Sequence, residues 1–237
     1  MSEPYKRVLL KLSGEAFAEH GKGIDEKRLT DIVRQIADAN AQNVEVAVVV
    51  GGGNFVRGAQ LSHQAIRRIT ADHMGMMATV LNGLALRDAF ESVGVHALLV
   101  SALPIPSIAP GIDNRQVHKA LKDKQIVIFA GGTGNPFVTT DSAASLRAVE
   151  INADLLLKAT KVDGVYDSDP QENPNAKRYE HISYDMALEK RLKIMDVAAF
   201  SQCKDYNVPI RVFNVFKPEA LKHALLGDGE GTLVSKE

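Results

Sequence analysis

The sequence predicts an α/β protein, a three-layer αβα sandwich around a mostly parallel β-sheet. Short apolar runs, often β-branched, alternate along the chain with longer segments in which apolar residues recur at helical spacing. This alternation is typical of parallel sheets that are covered by helices on both faces. Several of the apolar runs end in glycine-rich loops, and open α/β sheets bind ligands at that end of their strands. Because the chain has no evident linker and no internal repeat, we expect residues 1–237 to form a single domain.

The first half of the chain predicts three strands and two helices. The run 7–12 is apolar apart from two cations, and Ser13 and Gly14 end it. A second run passes directly into Gly51-Gly52-Gly53-Asn54. Residues 57–70 show neither a helical nor a strand pattern. The predicted elements are strand 7–12, helix 25–40, strand 44–50, helix 72–92, in which we interpret the methionines as core filling, and strand 95–100.

The second half continues the alternation. A proline-rich loop at 104–110 separates the two halves, and Asp163-Gly164 predicts a hairpin-type turn. The polar stretch 167–175 is the best candidate for a mobile flap, and Pro218 suits the start of the last helix. The predicted elements are helix 116–122, strand 125–130, helix 142–152, strand 155–160, helices 184–189 and 195–206, strand 210–213 and a helix from 218.

The loop 131–141 is the most informative stretch of the chain. It joins a predicted strand to a predicted helix and carries three glycines, which allow a close approach of the backbone to an anion. Its threonines and Asn135 add donors beside the positive end of the following helix. These features predict a phosphate-binding loop. A tight turn in which Asp141 is an ordinary N-cap remains the alternative.

Composition narrows the classes of function. The formal net charge is -1, so no basic field indicates a nucleic-acid partner. The chain has one cysteine, Cys203, and the seven histidines show no metal-ligand spacing. We found neither a signal-peptide core nor an apolar run near the ~20 residues that cross a bilayer. We therefore expect a cytoplasmic protein without a membrane partner or a metal site of its own, whose ligands are small.

Two common nucleotide motifs are absent. Gly53 and Gly58 have Walker-like spacing, but Ala59 stands where that motif needs lysine, and the third glycine of a dinucleotide fingerprint is missing after Gly134. What remains is a set of glycine-rich strand ends with charged residues beside them: Lys11, Arg57, Asp141, Lys158 and Lys161. Phosphoryl transfer needs cations, backbone donors and orienting carboxylates, and this inventory supplies all three.

Five ordered motifs identify a family. The sequence resembles the bacterial uridylate kinases of the amino acid kinase family in the segments 11–15, 51–57, 72–76, 132–141 and 158–166, and 210–214 extends the match. The resemblance implies about eight strands, a homohexamer, and transfer of the γ-phosphoryl group of Mg·ATP to UMP, giving UDP and ADP in pyrimidine nucleotide biosynthesis. It also implies an acceptor (UMP) half and an ATP half. Many members respond to GTP and UTP, but Glu91 and 119–125 depart from the pattern that we associate with the GTP effect.

The resemblance also implies roles for individual residues. The catalytic candidates are Lys11, Arg57, Asp141 and Asp196. The ATP-binding candidates are Lys11, Leu12, Ser13, Gly14, Gly53, Arg57, Thr160, Tyr166 and Asp169. The UMP-binding candidates are Gly52, Asp72, Thr133, Gly134, Asn135, Pro136, Phe137, Val138, Thr139 and Thr140. In this interpretation Lys11 and Arg57 neutralise the transferred group, and Asp141 and Asp196 position a lysine or Mg²⁺.

Each role has a structural alternative. Lys11 could be a snorkelling lysine or the partner of a carboxylate, Arg57 a surface ion pair, Asp72 a helix cap, and Asp196 a solvated helix carboxylate. A kinase for a carboxylate or carbamate acceptor would share the ATP side of the site. A non-catalytic nucleotide-binding protein is a third possibility, but it would be expected to lose Lys11, Arg57 and Asp141.

Overall fold

The computed structural model describes residues 5–18, 23–56, 66–170 and 172–236. Within these ranges eight strands form one sheet, in the order β3-β4-β2-β1-β5-β7-β8-β6. All neighbouring pairs are parallel except β7 and β8. The mostly parallel, eight-stranded α/β fold is therefore confirmed. The strands are β1 Arg7–Leu12, β2 Glu45–Val50, β3 Ala97–Ser101, β4 Ile126–Ala130, β5 Leu155–Thr160, β6 His181–Ser183, β7 Ile210–Asn214 and β8 Thr232–Ser235.

Helices cover both faces of this sheet. The helices are α1 Glu26–Ala41, α2 Arg68–Ser92, α3 Asn114–Lys122, α4 Thr140–Glu150, α5 Tyr184–Glu189, α6 Val197–Asp205 and α7 Ala220–Leu226. One buried cluster lies between the sheet and α1, α2 and α7, and a second lies between the sheet and α3 to α6. Every residue of the central strand β2 is buried, as expected for a parallel strand that is covered on both faces. The three-layer arrangement follows from these two cores.

The structure corrects several predicted elements. β6 and β8 were missed because they are three and four residues long. Asp163-Gly164 is not a hairpin turn: β5 pairs with β1 and β7, and among the described residues the segment after the turn pairs instead at an isolated bridge between Tyr166 and Arg178. Helix α7 begins at Ala220, behind a left-handed Glu219 (φ 57°), so Pro218 is not its first residue. Helix α2 begins at Arg68, four residues earlier than predicted.

The carboxyl ends of β1, β2, β4, β5 and β7 meet at one edge of the sheet, because these strands are parallel. The loops that follow them therefore lie side by side. Three of these loops are the ones singled out in the sequence: 13–14 after β1, 51–54 after β2, and 131–139 between β4 and α4.

Candidate active site

Two lysines and one aspartate form a compact ionic cluster at this edge. Lys11 on β1 and Lys158 on β5 are register partners, so their side chains point to the same face of the sheet. Asp141, in the first turn of α4, lies between them. Its Oδ1 is 3.2 Å from Lys11 Nζ, and its Oδ2 accepts a hydrogen bond from Lys158 Nζ at 2.7 Å. Lys158 Nζ also donates to the Ile194 carbonyl oxygen at 2.5 Å. All three side chains are at most 15% exposed.

The charges in this cluster perturb one another. Burial opposes ionisation of Asp141, but Lys11 and Lys158 outweigh it and hold the pKa of Asp141 below its ordinary value of 3.8. Burial, assisted by the charge of Lys11, lowers the pKa of Lys158, although Asp141 acts in the opposite direction. One carboxylate thus serves two ammonium groups, and the charge of Asp196 also acts on Lys158, where it opposes the lowering of the pKa.

The N-terminus of α4 lies beside this cluster and is capped by Thr139. The Thr139 hydroxyl accepts hydrogen bonds from the amides of Asp141 and Ser142. The alternative in which Asp141 is the N-cap is therefore wrong, and its carboxylate is free to pair with lysines instead. Thr139 also donates to Asp196, whose carboxylate accepts from Ser142 Oγ as well.

Asp196 is the N-cap of α6, where Oδ1 accepts from the Ala199 amide at 2.9 Å. The sequence led us to expect Asp196 inside this helix, but Asp196 precedes its first residue. Its described contacts are hydroxyl and amide groups, so it joins the start of α6 to the start of α4. Asp196 thus supports the α4 N-terminus, and its charge also acts on Lys158, where it opposes the lowering of the pKa. Its catalytic role stays a prediction.

A cavity of about 290 Å³ lies next to the cluster, between α2 and the loops after β2 and β4. Seven of the residues predicted to bind UMP line this cavity: Gly52, Asp72, Thr133, Asn135, Val138, Thr139 and Thr140. Gly53, which we assigned to ATP, also lines it. Gly134, Pro136 and Phe137 belong to the same loop but are not among the lining residues. Asp141 directly follows the lining residue Thr140 in the chain, but the three residues of the ionic cluster are not themselves among the lining residues.

Asp72 lies within α2 rather than at its cap, so the capping alternative is wrong. Its carboxylate pairs with Arg68 one turn earlier, at 2.8 Å. It also accepts the Phe137 amide at 2.9 Å. Phe137 has a left-handed backbone (φ 67°), and the guanidinium of Arg68 lies 5.7 Å from its ring centroid. Asp72 therefore connects α2 to the loop that forms the opposite wall of the cavity.

The loops after β1 and β2 touch each other through glycines. A Cβ added to Gly14 would lie 2.5 Å from the Gly53 amide nitrogen, so only glycine permits this contact. The side chain of Leu12 is fully buried in the core, which leaves only its backbone for contact with a nucleotide. Ser13 precedes a short 3₁₀ helix, Gly14–Phe17, which the sequence did not predict.

The other ATP candidates follow β5. Thr160 Oγ1 donates to the carbonyl oxygens of Val162 and Phe213 and accepts the Val162 amide, which shapes the turn after the strand. The hydroxyl of Tyr166 donates to Asp163 at 2.7 Å. The carbonyl oxygen of Asp169 accepts the amides of Glu172 and Asn173. These residues lie on the 160–173 segment and, in the contacts described, do not join the lysine cluster.

Two predictions need separate comment. Arg57 lies outside the described residues, so its catalytic and ATP-binding roles stay predictions. Among the described residues there is no group of three or more His, Cys, Asp or Glu side chains that could hold a metal ion. Both oxygens of Asp141 face lysines. The described side chains therefore do not fit a resident Mg²⁺ site, and magnesium in proteins that act on nucleotides is commonly held in large part by the substrate phosphates.

Lys158 is the functional candidate that sequence reasoning missed. It belonged to our inventory of cations, but we gave it no role. The signal that could have found it is the register of two parallel strands, which brings positions 11 and 158 together.

The chain matches known proteins over nearly its whole length. The sequence model of the amino acid kinase family matches residues 6–214. A uridylate kinase of Coxiella burnetii (strain RSA 493 / Nine Mile phase I) is 53% identical over 235 residues, which are 98% of this chain and 96% of the relative. Crystal structures of UMP kinases from Bacillus anthracis and Ureaplasma parvum, both 38% identical, have TM-scores of 0.95 and 0.92. They cover 99% and 98% of this chain, and the matches span 98% and 99% of their own chains. The chain therefore belongs to the amino acid kinase family and, within it, to the uridylate kinases.

Proposed function

We propose that this chain transfers the γ-phosphoryl group of Mg·ATP to UMP, giving UDP and ADP, as a step of pyrimidine nucleotide biosynthesis. The observation that carries the proposal is the cluster of Lys11, Asp141 and Lys158 beside a cavity whose lining agrees with the predicted UMP residues. The names of the relatives agree with it.

The geometry supports a mechanism based on positioning and charge. A phosphate oxygen of UMP attacks the γ-phosphorus while the bond to the β-phosphate oxygen breaks, and negative charge spreads over the transferred oxygens. Lys11 and Lys158 are held in place by Asp141 and supply positive charge to these oxygens. Because the charges are already in position, no reorganisation is needed at the moment of reaction. The amides of Asp141 and Ser142 are already capped by Thr139, so the start of α4 contributes through the positive end of its dipole on the acceptor side. Arg57 is proposed as a further cation on the phosphates.

A coupled assay for ADP release tests this proposal with a panel of acceptors. We expect strong preference for UMP over CMP, dUMP, AMP and small carboxylates. Carboxylates and carbamate belong in the panel because kinases for such acceptors would share the ATP side. Equal turnover of CMP or of a carboxylate would contradict the assignment of the acceptor. The Lys11→Met variant is the control that ties the activity to the cluster.

We further propose that the protein assembles as a homohexamer. The number six rests on the family resemblance alone. Self-association is supported by exposed Met74, Met77 and Leu81, which recur at helical spacing on one side of α2. Light scattering on the wild type and on Leu81→Glu is the test: we expect a hexamer that the variant weakens. A monomeric wild type at assay concentrations contradicts the proposal.

Other expectations remain predictions: the organisation of residues 1–237 as one domain with an ATP half and a UMP half, and the cytoplasmic location. No helix in the described ranges is long and apolar enough to cross a bilayer.

A further inference from the structure

The loop after β2 is tied to helix α2 by a buried pair of asparagines. Asn54 Nδ2 donates to Asn82 Oδ1 at 2.9 Å, and Asn82 Nδ2 donates to Asn54 Oδ1 at 2.7 Å. Asn82 Nδ2 also donates to the carbonyl oxygen of Gly51 at 2.6 Å. Asn54 Nδ2 donates its other hydrogen to the Gly23 carbonyl oxygen at 2.7 Å. Asn82 is 1% and Asn54 3% exposed.

Only amides satisfy this arrangement. The carbonyl oxygens of Gly51 and Gly23 accept hydrogen bonds, so each amide must direct its NH₂ group toward one of them, and this orients both side chains. Each side chain then has one hydrogen and one oxygen left for the other. Loss of either asparagine leaves buried polar groups unpaired, which is costly in a site without access to water.

The same pair supports the loop after β1. A Cβ added to Gly14 would lie 2.4 Å from Asn54 Oδ1, so the backbone of Gly14 packs directly on the Asn54 amide. Gly51 packs on the same loop, since its added Cβ would lie 3.0 Å from the Gly14 amide nitrogen. Asn82 therefore acts on the loop after β2 directly and on the loop after β1 through Asn54.

Helix α2 holds the third ligand-facing loop by a parallel contact. Thr79, one turn before Asn82, accepts the Gly131 amide at 2.6 Å and donates to the Met76 carbonyl oxygen at 2.6 Å. The two buried polar side chains of α2, at positions 79 and 82, thus bond to the backbones of two different loops. This helix is a common support for the loops at the edge of the sheet.

We propose that Asn82 is a positioning residue that sets the separation between the ATP-facing loop after β1 and the UMP-facing loop after β2. The proposal rests on the proposed function, because that function makes these loops the carriers of the two nucleotides. Asn82 lies beneath the loops and need not contact either substrate. Its effect is to keep the two phosphate groups within reacting distance, where a displacement of about 1 Å can cost roughly a hundredfold in rate.

The test compares Asn82→Ala with Val80→Ala in the full-length protein. Val80 is equally buried on the same helix, but it packs in the core with α1 and has no role in the site. Calorimetric titrations with ATP alone and UMP alone measure binding without turnover, and steady-state kinetics measures kcat and both KM values. Thermal unfolding reports the stability of each variant.

We expect Asn82→Ala to raise the Kd of both nucleotides by about tenfold and to lower kcat/KM by about ten- to a hundredfold. Val80→Ala should lower the melting temperature and leave Kd, KM and kcat unchanged. If Asn82→Ala behaves like Val80→Ala, or weakens UMP alone, the positioning role is overturned. Should Asn82→Ala fail to fold, Asn54→Ala is the second variant. It keeps the hydrogen bond from Asn82 to Gly51 and should weaken the binding of ATP at least as much as the binding of UMP.

Failure of the proposed function gives a different result. A wild type that binds neither nucleotide, or that binds both but does not phosphorylate UMP, rejects the function itself. A wild type that is active on UMP, together with an Asn82→Ala variant matching its control, rejects only the positioning role of Asn82.

Discussion

Replacing Asp141 by Asn removes the one negative charge that separates two partly buried lysines. Coulomb's law with an effective dielectric constant of about 20 gives roughly 5 and 6 kcal/mol for the contacts at 3.2 and 2.7 Å. Desolvation offsets much of this energy, and removal of one partner from a buried pair typically costs about 3–5 kcal/mol. Because Lys158 can release its proton, we expect Asp141→Asn to lower the free energy of unfolding by about 3 kcal/mol at neutral pH.

The pH dependence separates this cause from a simple packing defect. The folded-state pKa of Asp141 is below 3.8, so its contribution to stability is fully present above that value and is lost as the pH falls through the folded pKa. The difference between wild type and variant should therefore stay constant from about pH 7 to about pH 5 and shrink as the pH falls below about 4. It should also shrink at alkaline pH. The pKa of Lys158 is already lowered and falls further without Asp141, so the variant gains stability as this lysine loses its proton.

Urea unfolding of both proteins across this pH range is the measurement, and ADP release on the same samples gives kcat. We expect kcat to fall by about 10²- to 10³-fold, as for loss of a preorganised electrostatic contact. Asp185→Asn is the matched control, since Asp185 pairs with Lys204 at the surface and its loss should change stability by less than about 1 kcal/mol. A stability difference that does not vary with pH, or a variant with near-normal kcat, would refute the reasoning.

Three further predictions follow from the same edge of the sheet. Lys11→Met should lower kcat by about 10²- to 10³-fold, because it removes a preorganised charge from the phosphates. It should change the free energy of unfolding by less than about 1 kcal/mol, because Lys158 still neutralises Asp141. A large loss of stability with normal turnover would make Lys11 structural. Asp196→Ala should lower the free energy of unfolding by about 1 kcal/mol or more, because it removes the N-cap of α6. It should reduce kcat less than Asp141→Asn does. Urea unfolding and ADP release measure the two effects, and an equal loss of kcat would give Asp196 a direct catalytic role. The polar stretch 167–175 should exchange its amide hydrogens quickly without nucleotide and more slowly with ATP, and exchange as slow as in the core of the free protein would contradict its role as a flap.

The sequence predicted the parts of the fold that carry a strong local signal. The central strands are continuous apolar runs, and helix Tyr184–Glu189 was predicted with the bounds it has in the structure. Strands β6 and β8 are too short to show a period, and they depend on tertiary pairing, because β8 pairs with β7 on one side and with the edge strand β6 on the other. The start of α2 was missed because residues 57–70 have no apolar period. The predicted start, Asp72, lies in the second turn of the helix.

The sequence could name residues for a candidate site but could not show which of them are in contact. Glycine-rich strand ends with charges beside them indicated Lys11 and Asp141, and the resemblance supplied the acceptor loop. Asp141 was the cap that the sequence suggested, but Thr139, also of a residue type preferred at that position, is the N-cap in the structure. The carboxylate that pairs with Lys11 could not be identified from sequence, because Asp141 is 130 residues away and reaches Lys11 through tertiary packing.

The arrangement of charges itself argues for a binding role. Neighbouring parallel strands lie about 4.8 Å apart, so placing Lys11 beside Lys158 brings two like charges together in a partly buried position. A fold selected for stability alone would be more stable with apolar residues at these two positions. Asp141 offers a single carboxylate to both ammonium groups, and the start of α4 contributes further positive potential. This concentration of positive charge is tolerated in the free protein and becomes favourable when a polyphosphate approaches. Binding of ATP should therefore raise the melting temperature of the wild type by more than that of Lys11→Met, and an equal increase in both would show that the excess charge is not directed at the phosphates.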